Sequence, residues 1–90
     1  MKANAKKNVL RRLSLIRGQI NGLIKMVENE RYCIDIITQS SAIKEALSGV
    51  QDVMLENHLT THVIHQIKNG ESKKATAEIL KMYKLAQKKK

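Results

Sequence analysis

One cysteine and a closely spaced pair of histidines are the residues of this chain best suited to metal chemistry. Cys33 is the only cysteine in 90 residues, and His58 and His62 form a His-x-x-x-His pair. Residues four apart are neighbours on a helix surface, so both imidazoles would lie on one face. Thiolate and imidazole are ligands for soft or borderline ions: Cu(I), Zn(II), Ni(II) or Co(II). One sulfur and two nitrogens would suit three-coordinate Cu(I), or zinc completed by water.

Plainer interpretations of the same residues stay open at this point. A lone cysteine is more often a small buried apolar residue than a ligand. Two histidines four apart are more often ordinary surface residues. His65, three residues after His62, is a further candidate ligand.

The distance along the chain between the thiol and the histidines limits how a site can form. Cys33 and His58 are 25 residues apart, which is about 37 Å along one straight helix. One metal ion cannot bridge that gap, so a second, antiparallel copy would have to bring its histidines to the first copy's cysteine. A symmetric dimer would then hold two such sites. A break at Gly49 is the alternative that would place the site within one chain.

Composition predicts an all-α protein with a single domain, 1–90. The chain has no proline and only four glycines, which suits long uninterrupted helices. Without Phe or Trp the core must use Leu, Ile, Val, Met and Ala, which makes a lone monomer of this size marginal. We therefore expect an oligomer, with a basic N-terminal arm at residues 1–8 and a basic tail at 87–90.

Apolar periodicity predicts a three-helix protomer with a long central helix. A three-four spacing predicts the first helix over about 5–28, through Val9, Leu13, Ile16, Ile20, Leu23 and Val27. A heptad-like stripe predicts the central helix over about 31–68. Asn69-Gly70 is a helix stop, because glycine suits the left-handed position after a helix end. Ser72 is the expected cap of a third helix over about 72–86.

The charge of the chain predicts an acidic partner. The net charge is +9, with six basic and no acidic residues in 1–17 and eight basic and two acidic residues in the last thirty. Such an excess is typical of proteins that bind nucleic acid or an anionic membrane surface. No run reaches the ~18 apolar residues of a transmembrane helix, and the start lacks the apolar core of a signal peptide. We therefore expect a cytoplasmic protein with a reduced thiol.

A longer pattern of residues surrounds the cysteine and the histidines. The chain contains, in order, Arg12-Leu13, Ile16-Arg17-Gly18-Gln19-Ile20, Tyr32-Cys33-Ile34-Asp35-Ile36 and His58-Leu59. This pattern resembles the copper-sensing operon repressor family, which also includes nickel/cobalt- and formaldehyde-responsive repressors. The resemblance covers nearly the whole chain. Its most specific part is the Tyr-Cys-Ile-Asp-Ile block with a histidine 25 residues after the cysteine.

The resemblance implies an assembly and a ligand set. Protomers of the family form antiparallel dimers and homotetramers, and adjacent protomers share the metal site. The family's ligands fall on Cys33, His58 and His62. Many copper sensors have a cysteine at the third position, and histidine is a variant that the family uses. Tyr32 and Glu78 match the residues placed around the site, where a carboxylate would accept the distal N–H of a ligand imidazole.

The resemblance also implies a function. The family contacts DNA through the basic face of its first helix and neighbouring residues, which here are Arg11, Arg12 and Arg17, with Lys7 and Lys44 as further candidates. We expect a transcriptional repressor, not an enzyme, that binds double-stranded operator DNA in the apo form and is released when Cu(I) binds. Phosphate contacts should make DNA affinity fall steeply with salt.

Four alternatives remain beside the copper repressor. A nickel/cobalt sensor would have a histidine near the N-terminus, and residues 1–8 contain none. A formaldehyde sensor would have a proline after the initiator Met, where this chain has Lys2. A metal-independent basic DNA-binding protein would use Cys33 only for packing. A hydrolytic zinc enzyme would need a glutamate in the histidine motif, which reads His58-Leu59-Thr60-Thr61-His62.

Overall fold

The computed structural model describes residues 1–88, and these fold into helices joined by short turns. The elements are α1 (Ala3–Glu28), α2 (Cys33–His58), a π-helical turn (Leu59–Val63), α3 (Ile64–Lys68) and α4 (Ser72–Gln87). The described part of the chain contains no strand, so the predicted all-α class is confirmed. None of the described helices is both long enough and apolar enough to span a membrane.

The central helix forms one continuous rod from Cys33 to Lys68. Residues 58, 59, 63 and 64, at the junctions of α2, the π turn and α3, all have right-handed helical backbone angles. The predicted long helix is therefore confirmed, and the alternative of a break at Gly49 is wrong. A Cβ at Gly49 would lie 2.9 Å from Nη1 of Arg12. The glycine thus gives space for the Arg12 side chain where α1 packs on α2.

The turns at the two ends of this rod are built in the same way. At the first, the N–H of Arg31 donates to the carbonyl of Met26 (2.9 Å), and at the second the N–H of Glu71 donates to the carbonyl of Gln66 (2.7 Å). Both patterns close a helix end around a left-handed residue. That residue is Glu30 (φ 50°) in the first turn and Gly70 (φ 78°) in the second.

The predicted boundaries differ from the observed ones mainly at helix starts. α1 begins at Ala3, so most of the predicted arm at 1–8 is part of the helix. The prediction that Ser72 caps the last helix is wrong, because Ser72 is already the first residue of α4 and no side chain caps it. Of the predicted basic tail at 87–90, residues 89 and 90 lie outside the described residues.

One chain by itself buries a very small core. Within residues 1–88 the buried apolar side chains are Val9, Ile16, Ile43, Val63 and Ala75. Other apolar residues of the predicted seams remain exposed, including Ile20, Val27 and Leu47. The protomer exposes 7168 Å², whereas a folded monomer of 10.2 kDa is expected to expose about 5,300 Å². A single chain therefore leaves extensive apolar surface uncovered.

Candidate metal centre

His58 and His62 lie side by side where α2 passes into the π turn. His58 is the last residue of α2, and His62 lies in the π turn that follows. Their ring centroids are 4.8 Å apart and the ring planes are inclined by 23°. The prediction that both imidazoles share one face is confirmed. Single π turns within helices occur frequently at functional sites.

Glu78 of α4 contacts the first of these histidines. Its Oε2 lies 2.7 Å from Nε2 of His58, and its Oε1 accepts a hydrogen bond of 3.2 Å from Nε2 of Gln66. The hydrogen bond with His58 is the largest cause of a lowered pKa of the Glu78 carboxyl. The hydrogen bond from Gln66 lowers this pKa further, and partial burial opposes both. Glu78 is therefore held as a carboxylate between the two side chains.

These hydrogen bonds define which ring nitrogen of each histidine is available. An ionised carboxylate can only accept, so Nε2 of His58 carries the proton donated to Glu78 and Nδ1 keeps its lone pair. The Thr61 hydroxyl donates to the carbonyl of Asn57 (2.6 Å) and lies 3.1 Å from Nδ1 of His62. With its hydrogen so engaged, Thr61 accepts from Nδ1–H. His62 therefore presents Nε2.

The predicted third ligand lies at the opposite end of α2. Cys33 is the first residue of that helix, and its side chain is a free, exposed thiol. The uninterrupted helix separates it from His58 by about 37 Å. Residues 1–88 hold no cluster of three or more His, Cys, Asp or Glu side chains that could bind an ion. Tyr32, which precedes the cysteine, is 68% exposed and is likewise at the far end.

The third histidine points to a different neighbour. Nε2 of His65 lies 2.9 Å from Nδ2 of Asn69, in the turn that ends the rod. His58 and His62 stack on each other and not on His65. The structure therefore does not bring His65 into the pair.

Two of the groups around the histidines were not singled out by the sequence. Gln66, which holds Glu78, is 9% exposed, and its Oε1 has no hydrogen-bond partner among the described residues. Asn57 is 7% exposed and accepts a hydrogen bond of 3.1 Å from the backbone N–H of Lys2. Gln66 follows His58 and His62 at the same four-residue spacing, which is the only sequence signal for it. The contact of Asn57 spans 55 positions and has none.

The candidate DNA-binding residues occupy two kinds of environment. Lys7, Arg11, Arg17 and Lys44 are exposed, although Nη2 of Arg17 also lies 3.4 Å from the Ser14 hydroxyl. Arg12 is half-buried. Its Nε donates to Oδ1 of Asn8 (2.7 Å), and its guanidinium lies against Gly49. Arg12 thus has a packing role between α1 and α2 that the other four lack.

An apolar groove of about 600 Å³ lies beside the histidine pair, between α2 and α4. Its walls include Met54 and Leu55 of α2 and Met82 and Leu85 of α4, and His58 lies at its edge. Exposed apolar surface therefore lies directly beside the candidate site.

Comparison with known proteins adds a family and a structural likeness. Residues 5–85 match the model of the metal-sensitive transcriptional repressor family. The chain is 40% identical over 79 residues to the copper-sensing transcriptional repressor CsoR of Bacillus subtilis, covering 88% of this chain and 78% of that protein. It is 35% identical to the CsoR of Mycobacterium tuberculosis over 83% of this chain and 63% of that longer relative.

A solved structure gives a similar result. The crystal structure of the copper-sensing repressor CsoR with Cu(I) from Geobacillus thermodenitrificans is similar to this fold with a TM-score of 0.86 at 37% sequence identity. The match covers 97% of this chain and 91% of that chain.

Proposed function

The chain belongs to the metal-sensitive transcriptional repressor family, and from this premise we propose that it is a Cu(I)-responsive repressor. In this proposal the apo protein binds operator DNA in the cytoplasm, and Cu(I) releases it by binding Cys33 of one protomer together with His58 and His62 of another. The relatives and the solved structure described above are named as copper-sensing repressors, and the structure holds Cu(I). The protein acts by binding, not as an enzyme.

The donor atoms fit this ion. A thiolate and two imidazoles form a soft or borderline ligand set, and soft thiolate ligands select Cu(I). Nδ1 of His58 and Nε2 of His62 carry the lone pairs that ligation requires, because Glu78 and Thr61 occupy the other ring nitrogens. Glu78 fixes the orientation and tautomer of His58, as partners behind ligand histidines commonly do. When bound, Cu(I) supplies a cation that joins two protomers.

An antiparallel dimer accounts for both the separated ligands and the exposed surface. Pairing α2 with an antiparallel copy would bring each Cys33 to the partner's histidines. The protomer exposes 7168 Å², about 1,850 Å² more than expected for a monomer, which is the scale of an obligate interface. The groove beside His58 and the exposed apolar residues of α2 would be covered in such a dimer. Two dimers would then form the homotetramer.

Glu78 provides a route from the metal site to the rest of the protomer. It is the residue of α4 that hydrogen-bonds His58. A shift of the imidazole on ligation would therefore displace Glu78 and, with it, α4. Repression needs only that apo and loaded states differ in DNA affinity, and coupling free energies of this kind are typically about 1–3 kcal/mol. By reciprocity, DNA must weaken Cu(I) binding by the same factor. Lys7, Arg11, Arg12, Arg17 and Lys44 are the proposed DNA contacts, and Tyr32 the neighbour of the thiolate.

The observation that carries this proposal is the half-built site. One protomer orients two imidazoles through Glu78 and Thr61, yet holds its only thiol exposed about 37 Å away. A zinc hydrolase would need a general base beside the histidines and a complete site within reach.

The test measures operator binding with and without the ion. A duplex is first selected from a random library by the reduced apo protein, and its affinity is measured by fluorescence anisotropy under anaerobic conditions. Loading with Cu(I) from a competing chelator should weaken operator binding at least ~10-fold, within the usual range of coupling. Zn(II), Ni(II), Co(II) and formaldehyde are added in parallel. Equal operator affinity of the apo and Cu(I)-loaded protein contradicts the proposal, and release by another agent alone reassigns the effector.

A further inference from the structure

The lysines of α4 are arranged on one side of that helix. Five lysines occur between Ser72 and Lys88, and all of them are exposed. They are Lys73, Lys74, Lys81, Lys84 and Lys88. Because each helical residue advances by about 100°, these positions fall within an arc of about 100° around the axis. The stripe extends over 15 residues, or about 22 Å. We call these five residues the α4 lysine stripe.

Apart from Lys88, which directly follows α4 and also lines the groove between α2 and α4, the stripe faces away from the packed side of α4. Ala75 is buried and Met82 and Ala86 are half-buried, and the centre of this packed side lies about 150° around the helix from the centre of the stripe. Among residues 1–88, no carboxylate forms an ion pair with Lys73, Lys74, Lys81 or Lys84. The two acidic residues of this region, Glu71 and Glu78, lie beyond one edge of the arc. The stripe is thus a surface of like charge whose first four lysines form no ion pair within residues 1–88, although Lys74 interacts electrostatically with the Glu78 carboxylate.

We propose that the α4 lysine stripe is a second DNA-contacting surface, which binds phosphates of the duplex beside those contacted from α1. This inference rests on the proposed function for the identity of its partner. A line of exposed ammonium groups about 22 Å long matches the regular negative charge of a duplex, which carries one charge per ~1.7 Å of axis. Flexible lysine side chains act as point charges towards phosphate and read no base edges.

The position of the stripe also links it to the candidate metal site. Glu78 lies on the same helix, about 40° beyond one edge of the arc, and hydrogen-bonds His58. Lys74 is close enough to contribute to the lowered pKa of the Glu78 carboxyl. A movement of α4 that follows ligation of His58 would therefore move phosphate-binding groups directly. In contrast, the basic face of α1 can respond only through the packing of α1 on α2.

The test compares two double variants that lose the same charge. Lys81→Gln/Lys84→Gln removes the middle of the stripe without touching Glu78 or His58. Arg31→Gln/Lys68→Gln is the matched control, because both basic side chains are exposed and lie outside α1 and α4. Glutamine retains helix propensity, so both variants should fold, and circular dichroism with sedimentation checks that they do. Affinity for the selected operator and for a scrambled duplex is measured against salt.

The stripe variant should lose affinity for both duplexes by a similar factor, about tenfold or more. The slope of log affinity against log salt concentration should become shallower by ~1 for each lost phosphate contact. The control pair should keep the wild-type slope. A stripe variant that keeps this slope overturns the inference, even if Cu(I) releases the wild type normally. Conversely, the stripe variant could show a shallower salt slope while Cu(I) fails to release the wild type from operator. That result would support the DNA contact of the stripe and refute the proposed copper response.

Discussion

The two ends of α2 differ in how much of the candidate site one protomer prepares. At the His58 end, two imidazoles are stacked. Glu78, itself hydrogen-bonded by Gln66, contacts the His58 ring, and Thr61 contacts the His62 ring. At the Cys33 end, the thiol and Tyr32 are exposed, and the described chain forms no cluster of three or more potential ligands there. In the proposed site, one protomer therefore orients the two nitrogen ligands, whereas the sulfur ligand must come from a second protomer. Substitutions at the two ends should therefore have different consequences.

Loss of the thiol should have the largest effect on metal binding and almost none on folding. Cys33→Ala removes the only thiolate donor of the chain, so tight Cu(I) binding should be abolished. The free energy of unfolding of the apo protein should change by no more than ~0.5 kcal/mol, because the side chain is exposed. Chelator competition measures the first and urea unfolding the second. If Cys33→Ala retains tight Cu(I) binding, Cys33 is not a ligand of the site.

His62 and His65, both exposed, provide a matched pair of variants that test the His58 end of α2. His62→Ala should weaken Cu(I) binding by more than the ~100-fold that loss of a supporting hydrogen bond can cost. His65→Ala should bind Cu(I) like the wild type, because His65 contacts Asn69 instead of His58. The same chelator titration compares them. Equal losses in both variants would assign His65 to the ligand set.

The carboxylate behind His58 should have a smaller, indirect effect. Glu78→Gln keeps the size of the side chain but loses the charge that holds Nε2–H, so Cu(I) affinity should fall about 10–100-fold. Glu71→Gln is the control, since Glu71 is an exposed residue just before the same helix. Release from operator by Cu(I) should also weaken in Glu78→Gln only. If Glu78→Gln changes neither Cu(I) affinity nor release from operator, Glu78 does not support His58 in metal binding.

The turns before and after the rod provide a comparison of stability. Glu30 adopts the left-handed conformation that Gly70 adopts in the other turn, and that conformation costs a residue with a Cβ about 1–2 kcal/mol. After the greater flexibility of unfolded glycine is counted, Glu30→Gly should stabilise the apo protein by about 0.5–1 kcal/mol. Glu28→Gly, within α1, should instead destabilise it. Urea midpoints measured at one protein concentration distinguish these signs.

Acid should weaken the His58 end in a predictable direction. The pKa of Glu78 is lowered from 4.5, first by the hydrogen bond with His58. A lowered pKa in the folded state contributes stability that is fully present above pH 4.5 and lost as pH falls through the lowered value. The stability difference between metal-free wild type and Glu78→Gln should therefore shrink below pH 4.5. A difference that grows on acidification would show that Glu78 is not held as a carboxylate.

Local patterns in the sequence were sufficient for most of the fold. The length of the rod, the stop at Gly70 and the shared face of His58 and His62 depend on residues a few positions apart, and all three predictions are confirmed. The separation of Cys33 from the histidines followed from helix geometry alone. The contact of Glu78 with His58 was expected only from the family resemblance, because the two are 20 positions apart.

Features that depend on contacts between distant segments could not be predicted. The π turn at Leu59–Val63 has no periodicity of its own. Arg12 has the sequence signature of a surface cation, yet it packs over Gly49. Gln66 and Asn57 resemble ordinary polar surface residues of the rod, and only the fold shows that both are buried. The start of α1 at Ala3 coincides with the contact of Lys2 with Asn57, which fixes the N-terminus.

Subunit mixing tests most directly the claim that two protomers each supply half of the site. Cys33→Ala and His58→Ala chains are unfolded together, refolded at equal concentration, and titrated anaerobically with Cu(I) against a chelator. Each variant alone should bind no tight Cu(I). In the mixture, half of the dimers pair one chain of each kind, and each of these has one intact site of two, so about a quarter of the wild-type capacity should return. No recovery in a mixture shown by mass spectrometry to contain mixed dimers would contradict the shared site.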